Sequence, residues 1–134
     1  MIFIDTGAFI AKYMISDQFH LQAIKIWNEL ESGKEKIVTS NFILDETFTL
    51  LARQSNYAFS ARIAHVIYAS DVIKIIRPTH DAELSALNLF EKYADQKVSF
   101  TDCISFQLMR EHRIKHAFSF DRHFELAGFT MMRP

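Results

Sequence analysis

The sequence contains one cysteine, Cys103, among its 134 residues. A single thiol can form neither an intramolecular disulfide nor a zinc site built from several cysteines. A single unpaired cysteine is typical of proteins in a reducing compartment, so we expect a cytoplasmic protein. Long apolar runs are also lacking: Asp5 interrupts the apolar start, no basic segment precedes it, and no stretch approaches the roughly 20 apolar residues of a membrane span. We therefore expect neither a signal peptide nor a transmembrane helix.

Glycine and proline are scarce as well, with three and two residues respectively. Because these residues form most tight turns, their scarcity favours a helix-rich chain over an all-β sandwich. The charges nearly balance, with a formal net charge of −1, so no global positive field directs the protein towards nucleic acid. The length fits a single domain over residues 1–134.

What the sequence does contain is an alternation of strand and helix patterns. Short apolar or β-branched runs predict strands at 2–4, 36–39, 72–76, 117–120 and 129–131, and periodic apolar positions predict helices at 18–32, 42–55, 57–70, 81–93 and about 101–112. Ser40 or Asn41 is expected to cap the second of these helices, and Ser99 or Thr101 the last. The alternation predicts an α/β fold with a mainly parallel sheet covered on both faces.

Four acids occupy related positions in this pattern. Asp5 follows the first predicted strand, Asp121 follows the fourth, and Glu46 and Asp102 lie in the first turns of helices. Because open parallel sheets place their sites at the carboxyl ends of strands, these acids are expected to converge. Two carboxylates about 4 Å apart repel by roughly 4 kcal/mol at an intermediate dielectric, which a hard cation such as Mg²⁺ or Mn²⁺ relieves. Such a cation suits phosphodiester hydrolysis.

Simpler interpretations exist for individual residues. Asp5 could be a turn former, and the other acids could be ordinary helix-start residues stabilised by the helix dipole. Asp45 competes with Glu46, but at roughly 100° per residue Asp45 points further from the apolar stripe of its helix, so Glu46 is favoured. His123, two residues after Asp121, could approach the site, but is interpreted here as a surface-loop residue.

Four segments of the chain carry a resemblance to a known family. They are Phe3–Gly7, Thr39–Glu46, Ser99–Cys103 and Ala117–Phe124. In this order and spacing they resemble the PIN-domain nucleases and, within them, the VapC-type toxins of toxin–antitoxin pairs, over the whole chain. The fourth segment has Ser119 where many relatives have threonine, which leaves the acid that follows in place.

The resemblance implies a PIN-like three-layer α/β/α sandwich and a ribonuclease dependent on Mg²⁺ or Mn²⁺. Carried over by position, the metal-site acids would be Asp5, Glu46, Asp102 and Asp121, supported by Thr6 and Thr101. It also implies an RNA substrate, a homodimer and a cognate antitoxin. Arg122, beside the last acid, is the best candidate for an RNA-phosphate contact. The alternative is a non-catalytic PIN-like module that binds RNA or protein, and the presence of all four acids argues against it.

Overall fold

A computed structural model describes residues 1–133 of the chain as a five-stranded sheet flanked by helices. The elements are β1 (Ile2–Ile4), α1 (Thr6–Tyr13), α2 (His20–Ser32), β2 (Ile37–Ser40), α3 (Asn41–Gln54), α4 (Tyr57–Ala69), β3 (Ile73–Ile76), α5 (His80–Lys92), a 3₁₀ turn (Ala94–Gln96), α6 (Phe100–Glu111), β4 (His116–Phe118), α7 (His123–Leu126) and β5 (Thr130–Met131). The strand order is β3-β2-β1-β4-β5, and every adjacent pair is parallel. The predicted α/β/α class is confirmed.

The core lies on both faces of the central strand β1. All three of its residues are buried, as expected for a strand covered by helices on both sides. On one face Trp27 packs between the rings of Phe9 and Phe118, with centroid distances of 5.4 and 5.5 Å. Its indole Nε1–H donates to the Ala8 carbonyl oxygen at 3.0 Å, so this large side chain is fully satisfied in the interior. Within residues 1–133 no helix combines the length and apolar character needed to cross a bilayer.

Two serine caps fix where the site-bearing helices begin. The Ser40 hydroxyl accepts from the Ile43 N–H at 3.1 Å, and the Ser99 hydroxyl accepts from the Asp102 N–H at 3.1 Å. Of the alternatives left open by the sequence, Ser40 and Ser99 are therefore the capping residues. These caps place Asp102 in the first turn of α6 and Glu46 in the second turn of α3.

The structure departs from the predicted elements in three places. Helix α1 starts directly after Asp5, where no helix was predicted. The prediction missed this helix because its eight residues are mostly apolar and do not show the periodic polar positions of a surface helix. Helix α7 was also not predicted. Strand β4 ends at Phe118 instead of residue 120, so Asp121 lies three residues beyond the strand and not one. The segment 119–122 is consequently irregular backbone, and it lies at the carboxyl end of β4.

Candidate active site

A cavity of about 720 Å³ opens at the edge of the sheet where β1 and β4 end. Its lining includes the four predicted acids, Asp5, Glu46, Asp102 and Asp121, together with Thr6, Arg122 and His123. The structure thus brings to one place side chains that come from both ends and the middle of the chain. This is the convergence that the parallel topology predicts.

Asp5 occupies the N-cap position of α1 without capping it. Its backbone is extended, as a cap residue requires, but its side chain makes no capping hydrogen bond. Instead its Oδ2 accepts from the buried Ser119 hydroxyl at 2.7 Å. The same hydroxyl oxygen accepts from the Asp121 N–H at 2.9 Å, so one serine fixes two of the acids. Ser119 was not among the predicted site residues; its place in the threonine position of the family pattern was the available signal.

Burial and neighbouring charges raise the pKa values of two of the carboxyl groups, those of Asp5 and Asp102. Burial raises the pKa of Asp5 to about 6, opposed by the Ser119 hydrogen bond and increased by the charges of Glu46 and Asp121. Burial, together with the neighbouring charges of Asp5, Asp121 and Glu46, raises the pKa of Asp102 to about 8. Without a counter-charge, Asp102 therefore retains a proton at neutral pH. A cation among these groups would favour the ionised carboxylates and so oppose that protonation.

His123, the first residue of α7, lies inside the acid cluster. Its Nδ1 is 3.1 Å from Asp121 Oδ1 and 3.7 Å from Asp102 Oδ2, and its backbone N–H donates to Asp121 Oδ1 at 2.9 Å. Asp102, Asp121 and His123 offer ligand atoms that all lie within 4.8 Å of one another. Asp5 and Glu46 line the same cavity outside this compact group. The interpretation of His123 as a surface-loop residue was wrong.

The remaining predicted residues occupy different positions around the cavity. Glu46 is half-buried, whereas the adjacent Asp45 is exposed, as the helical geometry predicts. Thr6 lines the cavity, and its Oγ1 is buried without a hydrogen-bond partner among residues 1–133. Thr101 lies in an adjoining depression that it shares with Glu46 and not in the cavity itself. Arg122 is exposed at the cavity wall.

The Ser119 hydroxyl provides a test of how the cluster is held. We expect Ser119→Ala to weaken Mn²⁺ binding by roughly 10- to 100-fold, the usual effect of losing an outer hydrogen-bonding partner of a metal site, because the Ser119 hydroxyl contacts both Asp5 and the backbone N–H of Asp121. Removing the bond also raises the pKa of Asp5 further, because that bond favours the ionised form. Isothermal titration with Mn²⁺ measures the affinity. Ser119→Thr keeps the hydroxyl and should bind as the wild type does; equal affinity for the alanine variant would contradict the assignment.

The donor set fits a divalent cation. Carboxylate oxygens are the ligands that Mg²⁺ and Mn²⁺ prefer, and an imidazole nitrogen is compatible with Mn²⁺. The His123 Nδ1 is buried and lacks a hydrogen-bond partner among the described residues, although a carboxylate oxygen lies beside it. An unpartnered buried nitrogen beside the Asp121 and Asp102 carboxyl groups is placed as a metal ligand would be. Fold and site together define a parallel α/β protein with an acid-lined centre able to hold a metal.

Comparison with known proteins identifies the family. The family model described as PIN domain matches residues 2–129, and the chain belongs to the PIN-domain family. It is 35% identical over 134 residues to a Mycobacterium tuberculosis protein named 23S rRNA-specific endonuclease VapC20, covering 100% of this chain and 99% of the relative. An Archaeoglobus fulgidus protein named VapC ribonuclease is 33% identical over 125 residues, which cover 92% of this chain and 78% of that protein.

Solved structures agree with this assignment. The crystal structure of Mycobacterium tuberculosis VapC20, described as a Sarcin-Ricin loop cleaving toxin, superposes with a TM-score of 0.91 at 34% identity and covers 100% of both chains. A toxin–antitoxin complex from Klebsiella pneumoniae matches with a TM-score of 0.67 at 15% identity, covering 100% of this chain and 98% of that one. The second likeness supports the fold alone. The predicted resemblance to PIN-domain and VapC-type proteins is confirmed.

Proposed function

We propose that the protein is an endoribonuclease that hydrolyses RNA phosphodiester bonds with Mg²⁺ or Mn²⁺ held at the acid cluster. The observation that carries this proposal is the convergence of Asp5, Glu46, Asp102 and Asp121 on one cavity, where burial and mutual repulsion raise the pKa of Asp102 to about 8. The names of the two similar proteins, both ribonucleases or rRNA endonucleases, support the same activity.

The side chains around the cavity would have different roles in the reaction. Asp102 and Asp121 hold the cation with His123, because their ligand atoms form the compact group, and Asp5 and Glu46 complete the negative charge of the cavity. The Ser119 hydroxyl orients Asp5. When bound there, a divalent cation would supply polarisation of a phosphate oxygen and a lowered pKa for a nearby water molecule. Arg122, at the cavity wall, contacts an RNA phosphate and positions the chain.

We further propose that the protein acts as the toxin of a toxin–antitoxin pair, in the cytoplasm, as a homodimer with a cognate antitoxin. The support is the similarity to VapC20, whose crystal structure is described as that of a toxin. Light scattering on the purified protein tests the dimer. Co-expression with the product of the adjacent reading frame, followed by the same measurement, tests the antitoxin.

The central experiment measures cleavage of a labelled, mixed-sequence, single-stranded RNA by the purified chain. We expect cleavage with Mn²⁺ or Mg²⁺, none with EDTA, and recovery when the cation is restored, because the clustered carboxylates need the cation to stay ionised together. If the wild type bound RNA but cleaved it at the same background rate as Asp102→Asn, the nuclease proposal would fail and the non-catalytic binding module would take its place.

A further inference from the structure

Two phenylalanine rings stack in parallel inside the acidic cavity. Phe19 and Phe120 have centroids 4.3 Å apart and an interplanar angle of 3°, and both line the cavity that contains the acids. The other aromatic pairs within residues 1–133 are inclined by 35° to 90°. Both rings are half-buried. The arrangement therefore differs from the tilted and edge-on packing of the rest of the protein and lies where a ligand can reach it.

The two rings are held from different sides. Phe120 lies between Ser119 and Asp121 in the chain, and it meets Phe118 edge-on with centroids 5.9 Å apart. Phe19 precedes α2, and its N–H donates to the Asp17 carboxylate at 2.9 Å. Within the described residues, Phe120 is the only aromatic partner of Phe19. Phe19 also packs against the hydrophobic core, but it is half-buried and lines the cavity, so the part of its ring that faces the cavity is open to a third planar group.

The segment that carries Phe19 is fixed and not loose. The Phe19 carbonyl accepts from the Ala23 N–H at 2.8 Å, which ties it to the first turn of α2. The neighbouring His20 ring places its Nδ1 2.6 Å from the Ala11 carbonyl oxygen, which ties the same segment to α1. A planar surface held this way before a ligand arrives costs little ordering on binding.

The Phe19–Phe120 pair lies close to the place where an RNA phosphodiester bond would be cleaved, because both rings line the cavity that contains the acids. Consecutive Cα atoms are about 3.8 Å apart, so Phe120 is one such step from Asp121. Both rings line the same cavity as the acids, so a phosphate held at the acid cluster would bring its attached nucleoside into the space that they line. Unpaired RNA bases are commonly bound by stacking on aromatic side chains, because every base has a π-face.

We propose that the Phe19–Phe120 pair receives an unpaired nucleobase of the RNA substrate, on a nucleotide adjoining the cleaved bond. This inference rests on the proposed ribonuclease function and adds the substrate's conformation to it: the base next to the cleavage site must be unstacked from its RNA neighbours. The pair is then a substrate-positioning element, separate from the groups that hold the cation.

The experiment combines a protein change with an RNA change. Cleavage of a mixed-sequence single-stranded RNA first maps a cleaved bond, and oligonucleotides of that sequence then carry one abasic residue at each flanking nucleotide in turn. For the wild type, we expect one abasic position to lower kcat/KM by roughly 10- to 100-fold, the range for losing one base–aromatic stack. Phe19→Leu, which keeps an apolar side chain without a ring, should lower kcat/KM on intact RNA similarly and show no added loss on the abasic RNA.

Two further variants complete the design. Phe19→Trp keeps a stacking ring and should retain cleavage, and Phe90→Leu alters an exposed ring on α5 away from the cavity and should behave as the wild type. If Phe19→Leu cleaved as the wild type does, or if its loss multiplied with the abasic loss, the inference would be overturned while the ribonuclease function stood. If the wild type cleaved no RNA with Mn²⁺ or Mg²⁺, both would fall.

Discussion

Replacing Asp102 by asparagine is expected to lower the rate of RNA cleavage by at least a factor of about 100. The substitution keeps the shape of the side chain and removes one charge from the centre of the cluster. Asp102 is the acid whose pKa responds to all three of the others, so it lies where their fields overlap. Loss of that charge should cost a few kcal/mol of transition-state stabilisation, which corresponds to at least about 100-fold. Single-turnover cleavage of labelled RNA with Mn²⁺ measures the effect.

Asp5→Asn should give a loss of the same order, because Asp5 is the buried acid that Ser119 orients towards the cavity. The matched control is Asp45→Asn, which removes an exposed carboxylate one residue from Glu46 and should change the rate by less than roughly twofold. A correctly folded Asp102→Asn protein with wild-type activity would show that the cation, or the reaction, does not depend on this cluster.

The second large effect concerns stability against pH. In EDTA, we expect the free energy of unfolding to fall by a few kcal/mol as the pH rises from about 4 to 8. The pKa values of Asp5 and Asp102 are raised to about 6 and about 8, so the folded protein binds more protons than the unfolded chain in this window. Stability from these groups is complete below their ordinary pKa and is lost as the pH rises through the raised values. The loss is about 1.4 kcal/mol per pH unit for each extra proton that the folded protein holds.

Mn²⁺ should reverse this trend, since a cation replaces the lost protons and stabilises the folded state by mass action. Urea unfolding at several pH values, with EDTA and with saturating Mn²⁺, measures both curves. Asp102→Asn should flatten the EDTA curve and lose most of the Mn²⁺ stabilisation. Asp95→Asn, which removes an exposed acid in the 3₁₀ turn, should follow the wild type. A wild-type EDTA curve that rises between pH 5 and 8 would contradict the electrostatic description.

The strand pattern was predictable because buried parallel strands are short apolar runs in the sequence, and Ile2–Ile4 is such a run. Once the strands are parallel, residues at their carboxyl ends must share an edge, so the position of Asp5 could be derived without any knowledge of distances. The starts of α3 and α6 were similarly predictable to within two candidate residues. The cap geometry in the structure was needed to choose Ser99 over Thr101.

The missed residues lie in segments that periodicity does not describe. Between β4 and α7 the backbone conformation is held by hydrogen bonds between side chains and the main chain. The Ser119 hydroxyl accepts from the Asp121 N–H, and the Asp121 carboxylate accepts from the His123 N–H. These local hydrogen bonds bring His123 next to the acid cluster, and they cannot be predicted from the spacing of apolar residues. Phe19 was missed for a related reason, because its position depends on the unpredicted helix α1 and on a ring 101 positions further along the chain.

The central place of β1 in the sheet has a consequence for the chain while it is being synthesised. β1 precedes both of its neighbours, β2 and β4, in the chain, and Ser119, which holds Asp5, follows Asp5 by 114 residues. Domains generally fold as units, so a growing polypeptide that ends before β4 has neither the second neighbour of its middle strand nor two members of the ligand group. Such a shortened polypeptide therefore lacks Asp121 and His123, and with them the metal centre on which the proposed ribonuclease activity depends.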